Sequence, residues 1–431
     1  MEQLATSETR EAAIEHYIVE DLTRPPFSYE SRKPRMDRAD ESLVFEMEKR
    51  VFQCDQLPEV PPSFDEESPL KRTYKFFKKA QSELNKATSD TMIFHAHALA
   101  TPTEHSQKML KLVLKNHHES KTLYLKNLMA YLSIFKHTPG TTNKDAANEL
   151  FHETETIFLA HQVYVGVRSF THDHSPLRED NDTVMKHVYE VSIATMNFFI
   201  RKLARENDTK VRELLFTRMK ENMIVGLAHD LKEDHRNIPL DTMHDTLLGL
   251  TVQDSRLINL IHAKEPGEER IRTNINFLKR RWRTIRLKLI ALTKPEQKAC
   301  RPGYLRRQIR KVSITKQADL ILTKILDRDS NILSLTYMSG KEKESKEFRQ
   351  NRKIAETEEI IEIALEIYAE NKDPDLLEEI QFLAQACISE SERLEREHSE
   401  EIKEQQISTQ IHAARAVINA QLNQVTELLG A

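Results

Sequence analysis

A chain of 431 residues with 39% hydrophobic content can build two or three domains around ordinary cores, and a net charge of -4 excludes a global field that recruits nucleic acid or an anionic membrane. Charged residues at 31%, aromatics at 6% and only 8 glycines exclude an architecture of sheets, which need β-branched runs and glycine turns; the fold class is all-α. There is no apolar run of the roughly eighteen residues that spans a membrane, no signal-like start, and no CxxC among Cys54, Cys300 and Cys387, so a reducing, cytoplasmic setting without thiolate zinc is expected.

Residues 1–70 carry Arg24-Pro25-Pro26-Phe27 and Leu57-Pro58-Glu59-Val60-Pro61-Pro62, a proline density that stops helices. This segment reads as a Pro-rich arm, partly extended, around one short helix near Ser42 to Phe52. Residues 71–138 turn helical, with Leu110, Val113, Leu125, Leu128 and Leu132 on amphipathic stretches. His95, His97, His105, His117 and His118 fall here, but His95 and His97 split across a helix and no carboxylate pattern joins them, so a metal site is not expected.

Thr138-Pro139-Gly140-Thr141-Thr142-Asn143 is the clearest boundary; Thr142 or Asn143 can cap a following helix from about Lys144 to Val165. Next comes a loop rich in His, Asp and Pro, in which His172, His174 and Arg178 are either substrate contacts or solvated surface. His187 then opens a helical stretch, Val188 to Ala194.

The apolar run Met223-Ile224-Val225-Gly226-Leu227 leads into Ala228-His229-Asp230-Leu231-Lys232-Glu233-Asp234. On a helix this spacing crowds His229, Asp230, Glu233 and Asp234 along one edge. Imidazole beside carboxylate suits a borderline or hard divalent cation, and further carboxylates can hold a water or its proton. A lone His-Asp pair is usually just a solvated helix end. Thr171-His172-Asp173-His174 is such a pair, with no apolar helix before it.

Ile238 to Met243 reads as a capped helix start. The segment 268–311 then holds fifteen basic residues against three acids, a net of +12. Phe277, Leu278, Trp282, Ile285, Leu289 and Ile290 give it an apolar helical face. Its basic face is either solvated, or captures a phosphorylated nucleotide, or binds RNA with Trp282 as a stacking ring; its place between two candidate ligands favours substrate phosphates over nucleic acid. Beyond it, Lys324, Asp327, Arg328 and Asn331 share a helix face at i, i+3, i+4, i+7. Residues 341–431 are acidic, 21 Asp/Glu against 11 Lys/Arg, with a break at Asp373-Pro374-Asp375, while Ile360, Ile361, Ile363, Leu365 and Ile367, and Leu376, Leu377, Ile380 and Leu383, suit packing onto the core. Glu390 to Gln406 reads as an exposed helix, and Ile407 to Leu429 regains apolar spacing suited to self-association or a partner helix. The opposite charges suggest that this tail docks on the basic insert and screens the site.

An early His, a His-Asp pair and a late Asp resemble the HD-domain phosphohydrolases, and most closely the hydrolase domain of RelA/SpoT-type alarmone enzymes. His-Asp-x-x-Glu-Asp at His229 to Asp234 and Lys-x-x-Asp-Arg-x-x-Asn at Lys324 to Asn331 are the strings that carry the resemblance. It implies an HD-type helical bundle over residues 143–340, with an N-terminal helical extension and an acidic helical tail. It implies a metal, manganese, on His187, His229, Asp230 and Asp327; the ligand types alone also accept iron, zinc or magnesium. Glu233 and Asp234 would position or activate water. Lys324, Arg328 and Asn331, with Arg178, would lie near phosphate or hold the ligand helix. The implied reaction is removal of the 3'-pyrophosphate of a guanosine alarmone. Two alternatives stay open: hydrolysis of another nucleotide, and a helical scaffold that keeps the site without turnover.

Overall fold

The computed structural model describes residues 41–52, 60, 64–172, 184–234, 239–240, 243–244, 247, 277–293, 303–333, 346–398 and 416–421. Among these, every regular element is a helix and none is a strand, as composition predicts. None of the described helices is long and apolar enough to cross a membrane. In chain order they are α1 (Glu41–Phe52), α2 (Pro69–Ala100), α3 (Glu104–His137), α4 (Lys144–His172), α5 (Val184–Arg205), α6 (Thr209–Asp234), α7 (Phe277–Leu292), α8 (Tyr304–Ile309), α9 (Ile314–Leu333), α10 (Lys346–Asn371) and α11 (Pro374–His398). Two compact units result: Met1–Gln162 with Leu248–Arg280, and Val163–Leu247 with Arg281–Ala431.

In the first unit, α2 starts on Ser68, whose hydroxyl accepts the Lys71 amide, with Pro69 in the first helical turn where its missing N–H costs nothing. A capping box of Thr103 and Ser106 starts α3 after a short break that the sequence reading ran through. The two long helices pack along each other through Phe77, Tyr124, Tyr131 and Phe135. The short α1 is the helix expected in the Pro-rich arm. It is fastened by the Tyr124 hydroxyl donating to the Val51 carbonyl at 2.7 Å, by Phe52 stacking on Tyr124, and by Arg50 on Glu153 at 2.6 Å. Gly140, at φ 82°, makes the turn before α4, and Asn143, at φ 59°, accepts the Ala147 amide at its start. That helix runs past Val165 to His172.

In the second unit, α9 is the central helix, packed against α5, α6, α8, α10 and α11. Its apolar side chains Leu320, Ile321, Leu322, Ile325, Leu326 and Ile332 are buried, and so are its charged ones, Asp319, Lys324, Asp327 and Arg328. Charges so placed are tolerable only with partners, and each has one. Asp319 receives Arg218 at 2.8 Å and Lys288 at 2.8 Å. Lys288, 1% exposed and projecting from α7, also reaches Asn222 at 2.6 Å and Glu221 at 3.2 Å. Arg281 pairs with Glu221 as well. The basic insert therefore spends Lys288 inside the fold and sets Arg281 on Glu221. Trp282 packs its ring 4.6 Å from that of His244 and keeps its indole nitrogen buried.

The acidic tail meets the insert and also enters the core, as its isoleucines and leucines suggest. Arg306 pairs with Glu362 and Glu366, and Arg310 with Glu366 and Glu370, so insert and tail do meet. Yet α10 buries Ile354, Ile360, Ile361, Ile363 and Ile367 in the unit's core, and exposed ion pairs are each worth less than about 1 kcal/mol. The tail is core, so removing it uncovers apolar surface. The break at Asp373-Pro374 is present: α10 ends at Asn371 and α11 starts at Pro374, pinned to the end of α5 by Lys202 on Asp373 and Asp375, Arg205 on Asp375, and Arg201 on Glu379. Ser391 and Leu394 are buried, so the end of α11 from Glu390 is not wholly the exposed helix that its polar composition suggests, and 399–406 lie outside the described residues; of the final segment, Ile418 is buried within the short helical stretch 416–421.

The tightest helix contact lies between α5 and α6. A Cβ on Gly226 would stand 3.2 Å from the Ser192 Cα and 3.3 Å from its amide nitrogen, backbone atoms that cannot step aside. Gly226→Ala should therefore destabilise the chain by about 1–2 kcal/mol in urea unfolding, the overpacking cost exceeding the roughly 1 kcal/mol that alanine returns in helix propensity. An unchanged or raised midpoint would refute this. Lys288→Ala leaves Asp319 with Arg218 and Glu221 with Arg281 but takes the buried donor from Asn222, and should cost about 1–3 kcal/mol in the same measurement.

Candidate metal centre

Three helices bring the sequence-predicted ligands together: His187 from α5, His229 and Asp230 from α6, and Asp327 from α9. The closeness of α5 and α6 at Gly226 sets the first two helices, and His187 lies about 1.4 turns before Ser192, the residue of α5 at that contact. The rings of His187 and His229 stand edge to face with centroids 5.4 Å apart. His229 Nε2 is 3.0 Å from Asp230 Oδ1 and 3.5 Å from Asp327 Oδ1. His187 Nε2 is 3.2 Å from Asp327 Oδ1 and 3.6 Å from Asp230 Oδ2. Among the described residues, His187, His229 and Asp230 are the group of metal-ligand type whose atoms all lie within 4.8 Å of one another.

The orientation of His229 is decided by its own helix. Its Nδ1 lies 2.7 Å from the Gly226 carbonyl, which can only accept, so Nδ1 carries a proton whatever the charge of the ring, and Nε2 is the nitrogen turned to the carboxylates. That Nε2 is buried and makes no well-directed hydrogen bond despite its short distance to Asp230. Lone pairs of nitrogen and carboxylate oxygen facing one another repel unless a positive charge lies between them. A proton can serve, and so can a divalent cation; two imidazoles with two carboxylates are a donor set that fits one.

Asp327 is held for the same purpose. Lys324 Nζ donates to its Oδ2 at 3.2 Å and Asn331 Nδ2 to its Oδ1 at 2.8 Å, so Oδ1 is turned to both imidazoles. Of the two roles the sequence leaves open for Lys324 and Asn331, these bonds match the holding of the ligand helix. Arg328 turns to Glu356 of α10 at 3.2 Å. Arg178 lies outside the described residues. Glu233 and Asp234 end α6, one turn beyond His229 and Asp230. Asp230 has the most exposed side chain of the four ligands, 24% against 10% or less, so solvent and any ligand reach the centre on its side.

The sequence reading missed two residues that support the ligands, Glu190 and Ser330. Each sits three positions after a ligand, His187 or Asp327, a spacing that returns a side chain to the same helix face and could have flagged them. It also passed over a histidine stack in the first unit, where the rings of His118 and His161 are 4.1 Å apart. Burial, with His118 and Lys121 nearby, holds His161 well below its ordinary pKa; His117 is brought down to about 4 chiefly by burial. A cation is not favoured there. No family model, curated protein or solved structure matches the chain.

Burial works to lower the pKa of His229, but the Asp230 and Asp327 carboxylates overcome it and push it up to about 10. Burial works to raise Asp230 and Asp327, yet His229, with help from His187, holds Asp230 below the usual carboxylate range, and Lys324, with help from His229, holds Asp327 below it. The stabilisation from His229 is complete below about pH 6.5 and is lost as pH climbs toward about 10; that from the two acids is complete above about pH 4 and is lost on acidification. In EDTA the melting temperature should fall between about pH 6.5 and about pH 10, and Mn2+, replacing the proton, should restore most at the alkaline end. A Mn2+ increment that is the same at both ends would contradict this account.

Proposed function

We propose that the protein is a metal-dependent phosphohydrolase of the HD type, acting on a phosphorylated nucleotide, with the 3'-pyrophosphate of a guanosine alarmone as the favoured leaving group. The observation that carries the reading is the meeting of His187, His229, Asp230 and Asp327 from three helices, with both Nε2 atoms turned to carboxylate oxygens. The strings at His229 to Asp234 and Lys324 to Asn331 support the substrate class by resemblance.

A divalent cation on these four residues, manganese by the same resemblance, supplies Lewis-acid polarisation of a phosphoryl oxygen and a lowered pKa for water. The protein's part is to hold the donors ready. The Gly226 carbonyl presents the His229 lone pair, and Lys324 with Asn331 presents one oxygen of Asp327. Asp230, the ligand open to solvent, stands where a phosphate enters. Glu233 and Asp234, on the last turn of α6, orient the attacking water and take its proton.

The test is a panel of phosphorylated nucleotides, including guanosine 3'-pyrophosphates, incubated with the full chain and Mn2+, with phosphate and pyrophosphate measured separately. Pyrophosphate release from the guanosine 3'-pyrophosphates, lost by at least about 1,000-fold in Asp230→Ala and Asp327→Ala, is the expected result. Release only from other nucleotides would keep the hydrolase and discard the alarmone. No release from any member by Mn2+-loaded protein would discard the enzyme and favour the scaffold.

A further inference from the structure

The two imidazoles of the centre are oriented by different means. His229 is held by a backbone carbonyl, whereas His187 is held by a chain of side chains. His187 Nδ1 lies 2.9 Å from Ser330 Oγ on α9, and that hydroxyl lies 2.9 Å from Glu190 Oε2, back on α5. His187 and Ser330 are both buried. A hydroxyl alone is ambiguous, because it can donate to Nδ1 or accept from it. An ionised carboxylate removes the ambiguity: it only accepts, so the Ser330 proton goes to Glu190 and the oxygen lone pair is left for Nδ1–H. The protonated nitrogen is then Nδ1, and Nε2 presents its lone pair to Asp327 and Asp230.

We infer that Ser330 and Glu190 are positioning residues for the metal centre, a hydroxyl-carboxylate relay that fixes His187 as the Nδ1–H tautomer and aims its Nε2 at the cation. The inference rests on the metal-centre reading above and goes beyond it, because nothing in the resemblance assigns either residue a role. The relay has a second effect. Glu190 lies three positions after His187 on α5 and Ser330 three after Asp327 on α9, so the same two bonds that orient the ring also tie the helix bearing one ligand to the helix bearing another. Partners of this kind, one bond removed from the metal, typically hold a factor of about 10–100 in metal affinity.

The experiment measures Mn2+ affinity of the full-length protein by isothermal titration, with the melting temperature in EDTA recorded beside it. Ser330→Ala and Glu190→Gln should each weaken Mn2+ binding about 10–100-fold, while Ser330→Thr, which keeps the hydroxyl, stays within about threefold of the parent. Ser391→Ala is the structural control: that buried serine donates to the Ile388 carbonyl of its own helix, so its loss should lower the melting temperature and leave Mn2+ affinity unchanged. If Ser330→Ala keeps the parent affinity, or changes it no more than Ser391→Ala, the relay is overturned and the four-ligand centre stands. If the parent protein binds no Mn2+, or binds it equally well as Asp230→Ala, the metal-centre reading fails and takes the relay with it.

Discussion

Everything at the centre depends on how closely α5 and α6 can approach, and that is settled where Gly226 faces the backbone of Ser192. A side chain there would hold the helices apart, and the imidazole of His187 would be withdrawn from the Asp230 carboxylate, already 3.6 Å away. The same residue has a second duty. Its carbonyl takes the Nδ1 proton of His229, one turn along the helix, so the missing side chain and the present carbonyl act on the same geometry from two directions.

The second unit carries an unusual load of buried charge, and its organisation follows from the need to pair it. Along α9, Asp319 meets Arg218 and Lys288, Lys324 meets Asp327, and Arg328 meets Glu356. Pairs of this kind add little net stability, since desolvation cancels much of the attraction, but they are costly to break and they tolerate only one arrangement. A helix pinned to its neighbours at two heights, Asp319 and Arg328, cannot slide, and Asp327 between them cannot drift from its partners on α5 and α6. The charge at the centre differs in kind. There two carboxylates face two imidazole nitrogens, whereas Asp319, the other buried acid of α9 among the described residues, is met by Arg218 and Lys288.

The basic segment illustrates how composition can mislead about location. It looked like solvated or ligand-facing surface because its charges are dense. In the fold, Lys288 is drawn inward by Glu221 and Asp319, whereas the tail's isoleucines, legible in the sequence as apolar positions, make α10 a wall of the core. Charge density counts residues; it carries no information about which of them have a buried partner waiting on another helix.

The sequence by itself determined the helical class, through scarce glycine and apolar positions at helical spacing, and it placed the punctuation at Pro139-Gly140 and Asp373-Pro374, because turn chemistry is local. It also singled out the four residues that meet, His187, His229, Asp230 and Asp327, because imidazole beside carboxylate on an apolar helix is a local pattern and Asp327 was marked by its string. The tertiary structure alone decided what surrounds those ligands. Lys324 and Asn331 grip Asp327, Glu190 reaches His187 through Ser330, and Gly226 is needed for closeness rather than for a turn. The relay and the close approach are relations across helices far apart in the chain, and the grip on Asp327 gains its meaning from where that helix is set down. No spacing along the chain encodes which faces will meet until the helices have packed.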